Sequence, residues 1–121
     1  MTREFIITKE FDRNWKDLGL NDDDLGELER YLCKKPDCGD TLEGTGGVKK
    51  FRWALEGRGK SGGARIVYLD IVFAKHIYLI TAFPKNEKAN LSKAERNQMK
   101  TIVTAIKNAE KEAQDVRKQS I

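Results

Sequence analysis

Long apolar runs are missing from this sequence. No stretch reaches the eighteen or so apolar residues that a membrane-crossing helix needs, so no membrane span is expected. The opening residues, MTREFIITKEF, carry acids and lack a long apolar core. That argues against a secretory signal and for the cytoplasm. Histidine is nearly absent: His76 is the only one, and it lies in an apolar stretch. With that histidine inside a strand, a Ser/His/Asp hydrolase set is not expected. Cysteine is scarce as well. Cys33 and Cys38, five apart, supply two of the roughly four ligands a zinc site needs, and they read as structural or idle thiols. No carboxylate cluster suggests another metal. No metal and no cofactor are expected. The only two prolines, Pro36 and Pro84, fall where elements are expected to stop.

Charge is plentiful. Of the 121 residues, 35% are charged, and the net charge is +4. The length fits a single domain, 1–121, able to bury a real core. The charge is unevenly spread. Residues 21–29 are acidic, with Asp22, Asp23, Asp24, Glu27 and Glu29. Between 48 and 65 stand six cations and one carboxylate, Glu56. The same region crowds glycine, from Gly39 through Gly44, Gly46 and Gly47 to Gly57, Gly59, Gly62 and Gly63. A local basic face suggests phosphate contact more strongly than the total charge does.

The pattern predicts β-α-α-β-β-β-α. Residues 3–7 read as a strand, rich in aromatic and β-branched side chains. Thr8 caps a helix whose Phe11, Trp15 and Leu18 share one face, and Gly19 ends it. A second helix starts at Asn21 or Asp22, buries Leu25, Leu28, Tyr31 and Leu32, and stops at Pro36. Residues 48–55, 64–73 and 76–83 form a meander with short connections, hence antiparallel neighbours. The middle strand is mostly apolar, as a central strand would be. Ser92 and Glu95 make a capping box for a long helix, about 92–118, whose stripe includes Met99, Val103 and Ile106. The expected class is α+β, with a mostly antiparallel sheet and the helices packed on one face.

Glycine-rich loops suggest nucleotide sites, but this one lacks the context. Gly59-Lys60-Ser61 matches the end of a phosphate-binding loop, yet the first glycine of that motif falls on Ala54 and no helix follows. What is left is a set of cations. Strand alternation puts Phe51, Trp53 and Leu55 on the core face and Lys50 and Arg52 on the other. Arg65 opens the adjacent strand, within reach of the same phosphate as Arg52, and Lys85 follows the third strand. Such cations can bind RNA. They can also catalyse phosphodiester cleavage, by stabilising charge on a pentavalent phosphate while the RNA's own 2′-OH attacks. A lysine serves as base where neighbouring cations lower its pKa. Lys49 has the opposite parity, at a strand end, where its stem can snorkel.

The segments GDTLEGTGGVKKFRW, GRGKSGGARIVYL and IYLITAFPKNEKANLS, in this order, resemble the RelE/HigB family of toxins of type II toxin–antitoxin modules. The resemblance covers roughly residues 3–107 and includes that family's small α/β fold. It implies a ribosome-dependent endoribonuclease that cuts mRNA in the ribosomal A site without a metal. It also implies partners: the ribosome with its mRNA, and a cognate antitoxin, often a helix-turn-helix DNA-binding protein. By position, the family's catalytic basic residues fall on Lys50, Arg52, Arg65 and Lys85. Lys49, Arg58, Lys60 and Lys88 are the expected RNA or ribosomal RNA contacts. Some members place a tyrosine or histidine late in the chain for proton transfer. Here none follows Tyr78, which leaves Lys85, Glu87 and Lys50 as base candidates. Two other readings stay open: a relative that poisons DNA gyrase, and a non-catalytic protein that only binds RNA or antitoxin.

Overall fold

A computed structural model describes residues 2–53, 63–84 and 91–119, the last three by backbone alone. Strand β1 (Glu4–Ile7) leads into helices α1 (Lys9–Asp17) and α2 (Asp22–Lys34). Strands β2 (Asp40–Thr41), β3 (Lys49–Trp53), β4 (Ala64–Ile71) and β5 (His76–Pro84) follow, and helix α3 (Lys93–Gln119) ends the chain. The sheet order is β1-β5-β4-β3-β2. All neighbours are antiparallel except β1, which pairs parallel with β5.

Local chemistry sets the helix starts. Thr8 accepts from the Phe11 N–H at 3.0 Å and donates to the Ile80 carbonyl at 2.6 Å, so one hydroxyl caps α1 and ties it to β5. Asn21 and Asp24 form a reciprocal capping box on α2. Ser92 and Glu95 do the same for α3.

Helices α1 and α2 cover one face of the sheet. Phe11, Leu28 and Leu32 there are fully buried with Ile66, Tyr68 and Leu79. Each such side chain stabilises the fold by about 1.5–3 kcal/mol. Tyr31, Phe51, Trp53 and Tyr68 form a linked aromatic cluster with centroids 5.2–6.3 Å apart. Phe51 and Trp53 are therefore core residues, as their parity predicts.

Two details differ from the sequence reading. The helices do not share one face. Val67, Leu69 and Ile71 alternate with Ile66 and Tyr68 along β4, and they pack with Val103 of α3. Helix α3 thus covers the second face. The other detail is β2, a two-residue strand that pairs Asp40 with Lys50 and Thr41 with Lys49.

The turn into β3 is built by Thr45. Its buried hydroxyl donates to the Leu42 carbonyl at 2.6 Å and accepts from the Val48 N–H at 3.1 Å. Gly46 sits in this turn at φ +85°, and a Cβ there would meet Val103 Cγ1 at 3.1 Å. A side chain at Gly46 would be strained by its backbone and crowded by α3.

Tyr68 fastens the segment after α2. Its hydroxyl accepts from the Gly39 N–H at 3.0 Å and donates to the Pro36 carbonyl at 2.8 Å. Burial pushes the phenol well above its ordinary pKa. Tyr68→Phe should strand both backbone groups and cost about 1–2 kcal/mol. A urea midpoint equal to that of the parent chain would refute this.

Candidate nucleic-acid interface

The β3–β4 hairpin sets the cations by register. Arg52 lies directly opposite Arg65, and Lys50 lies opposite Val67. Directly opposed residues share a face, with Cβ atoms roughly 4.5–5.5 Å apart. Lys50 is two residues from Arg52 on the same strand, so all three point the same way. Arg52 is exposed, while Lys50 and Arg65 are half-buried. Like charges opposed across strands oppose folding. Such a pair is understandable where an anion joins them.

The neighbours of this row complete its chemistry. On β5, Phe83 lies opposite Arg65, giving the row an apolar flank. On the other side, β2 places Asp40 opposite Lys50. Asp40 is exposed, and it is a carboxylate that sequence reasoning missed. No local signal marks it, because only the two-residue β2 brings it there.

The structure therefore brings together Lys50, Arg52 and Arg65. Lys85, Arg58, Lys60 and Lys88 lie outside the described residues. Lys49 stands on the opposite face from the row. It pairs with Tyr68, and its Nζ donates to Thr41 Oγ1 at 3.1 Å. Tyr68 also faces α1 and α2, away from Lys50, Arg52 and Arg65. A cavity of about 430 Å³ between β1 and α2, lined in part by Arg3, Glu29, Arg30 and Cys33, likewise belongs to that opposite side. Burial raises the Glu29 carboxyl there above its ordinary pKa.

His76 is not idle. Glu110 on α3, only 6% exposed, pairs with His76 Nδ1 and accepts from the Tyr78 hydroxyl at 2.7 Å. Burial, reinforced by the hydrogen bond to Glu110, pushes the Tyr78 phenol up to about 12. This trio lies on the α3 face but at the far end of the sheet. His76 pairs with Ile71, whereas Phe83, seven residues on, pairs with Arg65. That span is roughly 23 Å at about 3.3 Å per residue, so His76 cannot serve the cationic row as a base.

Among the described residues, no cluster of three His, Cys, Asp or Glu side chains is arranged to hold a metal ion. Nor is any described helix long and apolar enough to cross a membrane.

Comparison with known proteins adds two findings. A family model described as "RelE toxin of RelE / RelB toxin-antitoxin system" matches residues 3–120. Among solved structures, the chain is similar to a double arginine-to-alanine mutant of the E. coli toxin RelE in the free state, with a TM-score of 0.51 and 16% identity. That match covers 71% of this chain and 86% of the other, and at this identity it speaks for the fold.

Proposed function

This chain belongs to the RelE toxin family, the toxins of RelE/RelB-type toxin–antitoxin systems, and on that premise we propose that it is a ribosome-dependent mRNA endoribonuclease. The observation that carries the reading is the opposed pair Arg52 and Arg65, with Lys50 on the same face. The nucleophile is the RNA's own 2′-OH, and the protein supplies charge stabilisation and proton transfer. The 2′-OH beside the scissile phosphate loses its proton and attacks phosphorus. Negative charge then builds on the phosphate's non-bridging oxygens. Arg52 and Arg65 meet it with planar, always-charged donors that match phosphate geometry. The 5′-oxygen departs and takes up a proton, leaving a cyclic phosphate. Lys50 and Lys85 complete the cationic set. Proton transfer falls to Lys50, Lys85 or Glu87, and Asp40, opposite Lys50, joins these candidates.

Arg58, Lys60 and Lys88 supply further contacts to RNA or ribosomal RNA. The toxin acts in the cytoplasm, and its antitoxin is a helix-turn-helix DNA-binding protein. The deciding experiment maps mRNA 5′ ends after induction, with and without translation. Cuts that require translation support the reading. Growth arrest without cuts would replace it by gyrase poisoning or by simple binding.

Ionic strength offers an independent check. Three phosphate contacts on single-stranded RNA predict that log affinity falls against log salt with a slope of about −2. Affinity for an RNA oligonucleotide should then drop by roughly tenfold or more between 50 and 200 mM salt. A flat response would remove the cationic row from the account.

A further inference from the structure

The inner stripe of α3 runs through Arg96, Met99, Val103, Ile106 and Glu110, which share one helical face by spacing. Val103 and Glu110 are buried, and Met99 and Ile106 pack against the cluster of Val67, Leu69 and Ile71. That stripe therefore rests on the sheet face that carries Lys50, Arg52 and Arg65.

Arg96 is the odd member of the stripe. Its Nε is fully buried and has no hydrogen-bond partner among the described residues. A buried N–H of a charged group without an acceptor destabilises the fold. Methionine or leucine would pack at this position without that cost. An orphaned donor of this kind calls for an explanation beyond packing.

The layout of α3 supplies one. Glu110 fastens the far part of the helix to His76 and Tyr78, at the end of β5 remote from Arg65. The start of α3 follows the opposite end of β5, where Phe83 and Pro84 pair with Arg65 and Ala64. Arg96 lies fourteen residues before Glu110, or roughly 21 Å along the helix axis. The strand span from His76 to Phe83 is about the same length. Of the inner-stripe residues, Arg96 is the one nearest in the chain to the Arg65 end of the sheet.

We infer that Arg96 is a substrate-binding residue: its half-buried side chain takes an RNA phosphate between α3 and the cationic strands. The inference rests on reading that face as an RNA site. It extends the site from the sheet onto the helix, so RNA is gripped from two sides.

The test uses a 2′-O-methyl RNA oligonucleotide, which binds but cannot be cut. Affinity is measured across a salt series for the parent chain, Arg96→Met, Arg96→Lys and Arg65→Ala, with a thermal melt of each. Arg96→Met should weaken binding by about fivefold at low salt and shallow the salt slope by about 1. Arg96→Lys should retain most of the slope, because it keeps the charge. Arg96→Met should melt no lower than the parent chain, since it removes an orphaned donor. If Arg96→Met binds with the parent's affinity and slope while Arg65→Ala does not, the inference is overturned and the RNA reading stands. If the parent chain shows no salt-dependent RNA binding, the RNA reading fails and takes the inference with it.

Discussion

Arg65→Ala should slow mRNA cleavage by about 10²–10³-fold, the usual loss when one preorganised donor to a developing anion is removed. Arg65 sits on the central strand β4, opposite Arg52, so its position is fixed by backbone on both sides. Its side chain is half-buried on the α3 face, whereas Ile66 and Tyr68 beside it anchor the other core. Truncation should therefore leave the fold and antitoxin binding in place. Arg65→Lys is a sharper probe. It keeps the charge but loses the planar fork, so activity should recover only in part. Single-turnover cleavage of mRNA on programmed ribosomes is the measurement. A wild-type rate for purified Arg65→Ala would withdraw the residue from the site.

Glu110→Ala should destabilise the protein by about 2–4 kcal/mol, because it strands two donors at once. Helix α3 has few deep anchors: among its described residues, only Val103 and Glu110 are buried. Without the carboxylate, the Tyr78 hydroxyl and His76 Nδ1 both lose their acceptor. A denaturant midpoint unchanged from the parent chain would contradict this.

The same substitution should also be visible in a tyrosine titration. Burial first, and the Glu110 hydrogen bond second, hold Tyr78 neutral up to about 12 against an ordinary 10.0. A raised phenol pKa stabilises the fold below the unfolded value, near 10, and the benefit is lost as pH rises through 12. In Glu110→Ala the burial contribution persists and the hydrogen-bond contribution goes. Tyr78 should then ionise at lower pH, and the alkaline unfolding limb should move down with it. Ultraviolet absorbance of the phenolate reports the first, and circular dichroism the second.

Sequence patterns reached most of the fold because they are local. Thr8, Asn21 and Ser92 each announce a helix start within three or four residues, and each cap is present. Strand parity placed Phe51 and Trp53 in the core and Lys50 and Arg52 opposite, which the register bears out. The short-range signal fails where pairing is remote. Asp40 reaches Lys50 only through β2, and His76 meets Glu110 across 34 residues. The apolar run of β4 extended the predicted strand to Phe73, whereas the strand ends at Ile71 and leaves Val72 63% exposed. That same run was apolar on both faces, so it already required a second cover. The α3 stripe is that cover, but nothing in its periodicity says which face it takes.

The pairing of β1 with β5 has a consequence for when the protein comes into being. Glu4 pairs with His76, the Thr8 N–H reaches the Leu79 carbonyl at 3.2 Å, and Arg3 binds Asp70 at 2.9 Å. These partners of the first strand and its flanks are made some seventy residues later. At about 5–20 residues per second, the N-terminal strand waits on the order of 4–14 s for β5 to be synthesised. Helix α1 waits too, since its cap and Asn14 bind Ile80 and Thr81. Non-local contacts of this kind form late in folding. A chain proposed to attack translating ribosomes therefore cannot complete its sheet while β5 is still inside the one that makes it.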